Sequence, residues 1–309
     1  MDISGILIAA LLTIITAATP LLFAALGELV AEKSGVLNLG VEGMILLGAV
    51  CGFAAVVFTG NAAAGIVAGA LGGAALASVF ALLALGLQAS QVATGLALTI
   101  FGVGLSALLG QDLVGIAYAG LPKIALPVLS KLPVVGQLLF NHDILVYLSW
   151  ALLAAVVWFL SRTRAGLVLR AVGDSHAVAH ALGYSVLRIR LFATLFGGAC
   201  AGLAGAYLSL AYSPLWIENM SAGRGWIALA LVVFATWRPW RVLVGAYLFG
   251  GITIAQLHAQ ALGVGVPAQV MSMLPYLATI AVLVLISRDR GKIKRNAPAC
   301  IGKAFHPSS

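Results

Sequence analysis

Charged residues are scarce in this sequence of 309 residues, of which they make up 8%, whereas hydrophobic residues make up 62%. A globule of this length cannot assemble a water-exposed surface from so few charges. The composition therefore excludes a soluble protein and indicates an integral membrane protein. Mostly apolar stretches of about 20 residues, the length of a bilayer-spanning helix, recur along the chain.

These stretches predict an all-α, polytopic transmembrane helical bundle of about 8–10 membrane segments, because a backbone inside the bilayer must pair its own polar groups. We place segments at 6–26, 36–58, 62–87, 92–110, 144–160, 191–212, 226–237, 242–258 and 270–287. The segment at 226–237 is short and either spans or re-enters. The segment at 6–26 is interpreted as a mature helix and not as a secretory signal, since Asp2 stands where a signal would have a basic cluster.

The distribution of Lys and Arg predicts the orientation, because cytoplasmic loops carry an excess of both. A loop over 161–190 is rich in arginine and a tail over 291–309 is basic, so both are expected in the cytoplasm. The loop 111–143 balances its charges and is expected outside. These assignments divide the chain into a transmembrane domain (1–290) and a tail, with the amino terminus outside. The net charge of +8 is then a topology signal, and no nucleic-acid partner is expected.

Cysteine and histidine are scarce too. Cys51 and Cys200 lie in apolar segments and Cys300 lies in the tail, so free thiols are expected. His176 and His180 stand one turn apart, a zinc-like spacing, but a metal needs a further ligand and none is near in sequence. We expect no metal, no cofactor and no enzyme activity, since the sequence also lacks a G-x-x-x-x-G-K-[ST] loop for ATP phosphates.

Glycine is abundant in the apolar segments and recurs at helical spacing. Such faces let helix backbones approach closely in lipid. We interpret these glycine faces as packing faces within the chain, and a face between subunits is the alternative. One face comprises Gly65, Gly69 and Gly73, and the other comprises Gly198, Gly202 and Gly205.

The arginine-rich loop is long for a connection between two spans. Asp174 or Ser175 can cap a short helix over "HAVAHAL", and Gly183 can end it. The pattern predicts a surface helix on which a partner docks. An amphipathic helix resting on lipid headgroups is the alternative.

Four stretches resemble bacterial ABC-importer permeases of the branched-chain amino acid, simple sugar and nucleoside group. They are "GELVAEKSGVLNLGVEGMILLGA", "QVATGLALTIFG", "TRAGLVLRAVGDSHAVAHALGYSVLRIRLFATLFGGACAGLAGAYLSL" and "GRGWIALALVVFATWRPWRVLVGAYLFGG". The first is most similar to the shorter permease of nucleoside-type importers. Where the family usually reads Gly-Glu-Asn-Pro, this chain has Gly173, Asp174, Ser175 and His176.

The resemblance implies a multi-pass permease of the bacterial inner membrane that carries a nucleoside or a similar small polar solute. Branched-chain amino acids or simple sugars are the alternative cargo, and a secondary carrier is the less favoured alternative class. The implied partners are a separate ABC ATPase, a second and longer permease, and an extracytoplasmic substrate-binding lipoprotein. The candidates for ATPase coupling are Arg170, Gly173, Asp174, Ser175, His176 and Gly183.

Polar residues within the apolar segments are the candidates for the substrate path. Glu42 follows Asn38 by one turn, where a carboxylate costs a few kcal/mol unless it meets water or a partner, so it either lines the path or is a buried structural partner. Gln91, Thr94 and Thr99 share one segment, and helix packing is the alternative role for them. By contrast, exposure to interfacial water or pairing with Lys33 is expected of two further acids, Glu28 and Glu32.

Overall fold

The computed structural model describes residues 3–125, 135–261, 267–274, 277–278, 280–281, 284 and 296–306. These residues form helices joined by turns and non-helical segments, and the strands among them are the short antiparallel pair β1 (Lys123–Ala125) and β2 (Asn141–Asp143). The all-α fold predicted from composition is therefore confirmed. Cys51, Cys200 and Cys300 are free, as expected.

The helices follow the apolar segments closely. They are α1 (Ile3–Lys33), α2 (Val41–Thr59), α3 (Ala62–Ala81), α4 (Gln91–Gly110), α5 (Val135–Phe140), α6 (Ile144–Arg162), α7 (Arg164–Asp174), α8 (His176–Ala181), α9 (Val186–Tyr207), α10 (Arg224–Phe234), α11 (Pro239–Ala261) and α12 (Ala268–Ser272). Single π-helical turns extend α3 to Gly86 and α9 to Tyr212.

Among the described residues, seven helices are long and apolar enough to cross a membrane, namely α1, α2, α3, α4, α6, α9 and α11. Helix α10 is shorter, with 11 residues, so the predicted segment 226–237 does not form a full-length span. The predicted segment 270–287 lies largely outside the described residues.

Two predicted boundaries around the first loop are wrong. Helix α1 continues through Pro20 and past residue 26 to Lys33, and α2 begins at Val41 instead of residue 36. The chain between them, residues 34–40, is non-helical, and Gly35 adopts a positive φ of 90° that other residues disfavour. We call residues 34–40 the α1–α2 break.

Helix α9 lies at the centre of the bundle, against α1, α2 and α3. The recurring glycines make this packing possible. A methyl group on Gly202 would overlap the carbonyl oxygen of Gly69, and one on Gly73 would overlap that of Gly198. The interpretation of these glycines as packing faces within the chain is therefore confirmed.

Replacing Gly202 by alanine should destabilise the bundle by about 1–3 kcal/mol, because the neighbouring backbone cannot move aside for the added methyl group. Thermal melting in detergent would measure the loss. Gly104→Ala is the matched control, since that position in another span has open space around it among the described residues. Equal melting temperatures for the two variants would contradict the packing described for α9.

Candidate functional site

The α1–α2 break is hydrogen-bonded by side chains from the surrounding helices. Inside a bilayer, a non-helical backbone is tolerated only where protein or a hydrated cavity satisfies its N–H and C=O groups. The pairs are Gln91 Oε1 with Leu37 N (2.8 Å), Glu28 Oε1 with Asn38 N (3.2 Å), and Thr99 Oγ1 with the carbonyl oxygen of Leu39 (2.9 Å). Two of the predicted path residues therefore hold this segment in place.

The other predicted polar residues lie close by. Asn38 belongs to the break itself, and its Oδ1 accepts a hydrogen bond from Gly40 N at 2.9 Å. Thr94 is buried on α4 between Gln91 and Thr99. The structure thus gathers Asn38, Gln91, Thr94 and Thr99 around one non-helical segment.

Two polar atoms beside the break have no hydrogen-bond partner among the described residues. They are Glu28 Oε2 and Gln91 Nε2, one an acceptor and the other a donor, and both side chains are buried. A buried polar atom without a partner costs about 1–3 kcal/mol. Among the described residues, the site therefore holds one acceptor and one donor whose hydrogen-bonding capacity is unused.

Glu42 is buried and holds the start of α10. Its Oε1 accepts hydrogen bonds from Ser221 Oγ (2.5 Å) and Gly223 N (2.8 Å), and its Oε2 accepts one from Gly225 N (2.6 Å). Gly223 precedes α10 with a φ of 83° and has no side chain to cap the helix. The Glu42 carboxylate therefore supplies the cap, where the helix dipole also favours negative charge.

The start of α10 lies near mid-depth in the bundle. Helices α2 and α9 run parallel, because Gly48 approaches Gly202 and Gly52 approaches Ala206. Glu42 precedes Gly48 by six residues, or about 9 Å, so it lies level with the middle of α9. Helix α10 then extends about 16 Å, half the thickness of a bilayer core. It is a half-length helix that begins inside the bundle.

The expectation that Glu28 and Glu32 face interfacial water is wrong, because each is only 1% exposed. The α1–α2 break folds back over the end of α1 and covers Glu28. Glu32 Oε2 accepts a hydrogen bond from Trp237 Nε1 at 2.5 Å, and Lys33 Nζ donates to the carbonyl oxygen of Asn296 at 2.6 Å.

The predicted surface helix is present as α8. Ser175 caps it by accepting from Val178 N at 3.4 Å, and Gly183 ends it with a φ of 86°. Val178 and Leu182 are 58% and 70% exposed, so α8 presents an apolar surface away from the bundle.

The remaining coupling candidates lie where α7 meets the rest of the bundle. Gly173 packs so closely on the end of α1 that a methyl group there would overlap the carbonyl oxygen of Lys33. Asp174 is the last residue of α7, and the Nε of Arg170 is buried without a partner among the described residues. Burial and the nearby Arg190 guanidinium lower the pKa of His176, which favours its neutral form.

Sequence reasoning missed three residues that take part in these contacts. Ser221 and Gly225, which bind Glu42, were not singled out, and the glycine-rich "SAGRG" before a short apolar segment is the signal that could have indicated them. Arg190 was interpreted only as a cytoplasmic charge, yet it is fully buried.

A separate apolar cavity of about 600 Å³ lies among α1, α6, α7 and α9. Its lining is apolar apart from the indole N–H of Trp158, so it is poorly suited to a polar solute. Its lining includes Val30, Leu152, Phe159, Val168, Phe192 and Phe196.

Glu42→Gln should lower the stability of the protein by about 1–3 kcal/mol, because the amide NH₂ group would face a backbone or hydroxyl donor. Thermal melting in detergent would measure this loss. Ser221→Ala, which removes one donor and leaves the carboxylate intact, should lower the melting temperature less. A glutamine variant that melts like the unmodified protein would refute the capping role of Glu42.

The comparisons with known proteins agree with this architecture. The family model described as "Branched-chain amino acid transport system / permease component" matches residues 10–283. A putative glucose ABC transporter permease of Haloferax volcanii is 44% identical over 87% of this chain and 88% of its own. A nucleoside ABC transporter permease of Lactococcus lactis is 31% identical over 86% and 88% of the two chains, and a guanosine ABC transporter permease of Bacillus subtilis is 30% identical over 92% and 93%.

No solved structure gives a significant match. The family match nevertheless covers most of the chain and agrees with the helices described above. The chain belongs to the family of ABC-transporter permeases typified by the branched-chain amino acid permease component.

Proposed function

We propose that this permease imports a nucleoside, or a similar small, uncharged, hydroxyl-bearing solute, along a path that passes the α1–α2 break and the start of α10. The observation that carries the proposal is the pair of unused polar atoms, Glu28 Oε2 and Gln91 Nε2. A ribose hydroxyl can donate to the first, and a ring nitrogen or carbonyl oxygen of the base can accept from the second. Asn38, Thr94 and Thr99 lie beside them.

Glu42 contributes to the path by holding the start of α10. Half-length helices and non-helical backbone occur at membrane depth where they are buried in protein or line a solute cavity. The Glu42 carboxylate is used by Ser221, Gly223 and Gly225, so we assign it to positioning and not to direct contact with the solute.

An amino acid is a less suitable cargo because its carboxylate requires a cation. The buried guanidinium of Arg190 is engaged by the backbone carbonyl oxygens of Ser34 and Lys303. The relatives named for nucleoside and guanosine support the proposed cargo. A sugar is the second candidate, because the relative at 44% identity is named for glucose and sugar hydroxyls suit both unused atoms.

Transport by an ABC permease uses a separate ATPase and a substrate-binding protein as partners. We assign ATPase docking to α8, through the exposed side chains of Val178 and Leu182. Flanking residues would fix the attachment of α8 to the bundle, namely Arg170, Gly173, Asp174, Ser175, His176 and Gly183. The chain itself would then change conformation without catalysing a reaction, and it would pair with a second, longer permease.

The cargo assignment predicts ATP-dependent uptake of labelled guanosine by liposomes that contain this chain, its ATPase, the second permease and the binding protein. Excess glucose or leucine should not compete. Uptake of glucose or leucine in its place would overturn the nucleoside assignment, and uptake driven by an ion gradient without ATP would indicate a secondary carrier.

The matched variant for that experiment is Glu28→Gln. It keeps an acceptor for Asn38 N and replaces the unused acceptor by a donor, so guanosine uptake should fall about tenfold while melting in detergent changes little. Unchanged uptake would remove Glu28 from the path.

The orientation also stays a proposal, with the amino terminus outside and α8 in the cytoplasm. It is supported by the excess of arginine in 161–190. A reporter fused after Ser161 should behave as cytoplasmic, and one inserted near the exposed Lys123 as external. The opposite pair of results would invert the topology.

A further inference from the structure

The segment 296–306, which we call the C-terminal strap, lies against both α8 and the α1–α2 break. Sequence reasoning treated this part of the chain only as a basic tail. Its backbone is held at several points along its length. Cys300 N donates to the carbonyl oxygen of Gly173 at 2.8 Å, and Gly302 N donates to that of Gly35 at 3.1 Å. The carbonyl oxygen of Phe305 accepts from Gln88 Nε2 at 3.2 Å.

Phe305 anchors the strap to α8. Its ring lies edge-on to the rings of both His176 and His180, with centroids 5.3 Å apart in each case, and it is only 6% exposed. Phe305 also packs in a small apolar cluster with Val172, Ala179 and Val186, separate from the main core. The two histidines that suggested a zinc spacing therefore flank an aromatic ring from the strap.

Arg190 joins the strap to the break and to α8 at once. Its Nε donates to the carbonyl oxygen of Ser34 (3.2 Å) and its Nη1 to that of Lys303 (2.9 Å). Its Nη2 lies 3.3 Å from Nδ1 of His176, which accepts in the neutral tautomer that carries its hydrogen on Nε2. One buried guanidinium thus bonds to three separate parts of the cytoplasmic face.

We propose that the C-terminal strap is a transmission element that couples movement of α8 to the α1–α2 break, with Phe305 as the positioning residue at one end and the Gly302–Gly35 bond at the other. The inference rests on the proposed docking of the ATPase at α8. A displacement of α8 moves Phe305, and the strap passes the displacement to Gly35. The break in turn carries the backbone that Gln91 and Glu28 hold beside the proposed path.

The test is Phe305→Ala in the full chain, compared with His306→Ala, an exposed neighbour in the strap that carries none of these contacts among the described residues. Amide hydrogen exchange in detergent is the first readout and needs no partner. Exchange should quicken in peptides covering 176–182 and also 34–40, with 62–81 of α3 unchanged. Faster exchange confined to 176–182 and the strap would overturn the link.

The second readout is the number of solute molecules imported per ATP hydrolysed in liposomes containing the complete transporter. Phe305→Ala should lower this ratio about fivefold, and Phe305→Leu, which keeps apolar packing, should restore most of it. The ATPase should still co-purify with Phe305→Ala, because Val178 and Leu182 remain. A wild-type ratio, or loss of the ATPase, would each overturn the strap as a transmission element.

A Val178→Ala, Leu182→Ala double variant separates this inference from the proposed function. It should lose the ATPase while its hydrogen exchange at 34–40 stays normal. If the double variant retains the ATPase and full transport, the docking assignment of α8 fails, whereas the exchange result for Phe305→Ala still decides whether the strap links α8 to the break.

Discussion

The need to pair every backbone polar group without water governs this structure. A helix satisfies that requirement by itself, but the α1–α2 break and the segment 213–223 before α10 do not. Each is held by side chains or backbone from elsewhere in the chain. The carboxylates of Glu28 and Glu42, which look anomalous in so apolar a sequence, are among the acceptors that allow the chain to leave the helical state inside the bundle.

Close glycine packing and these polar contacts depend on each other. The contacts of Gly48 and Gly202 bring α2 against α9, and Gly43 packs directly on the backbone of Leu98 in α4. Only at such separations can a side chain as short as that of Thr99 reach the backbone of the break. Larger residues would separate the helices, and the N–H and C=O groups of the break would lose their side-chain partners. The glycine faces thus determine where polar chemistry can be placed in the bundle.

Much of the fold followed from local patterns, whereas the contacts of the polar residues did not. Apolar length predicted the spans, the shortness of 226–237 anticipated a half-length helix, and Ser175 with Gly183 predicted α8. The predicted end of α1 was wrong because two acids so close together, Glu28 and Glu32, suggest from sequence alone that the helix has reached the membrane interface. The partners of Glu42 lie about 180 residues away in sequence, so local spacing could not reveal that it caps α10. Long sequence separation also hid the strap, because Phe305 packs against His176 and His180, at least 125 residues earlier in the chain.

The strap has a consequence for the biogenesis of the protein. Its residues are synthesised after those of α1, α2 and α9, so the carbonyl oxygen of Gly35 and Nη1 of Arg190 lack these partners until residues 302 and 303 have been made. Until then the end of the bundle that carries α8 lacks these bonds, and α8 lacks the ring of Phe305 packed against His176 and His180. The contacts of α8 and of the α1–α2 break with the strap can therefore form only after the seven long apolar helices of the described chain have been synthesised.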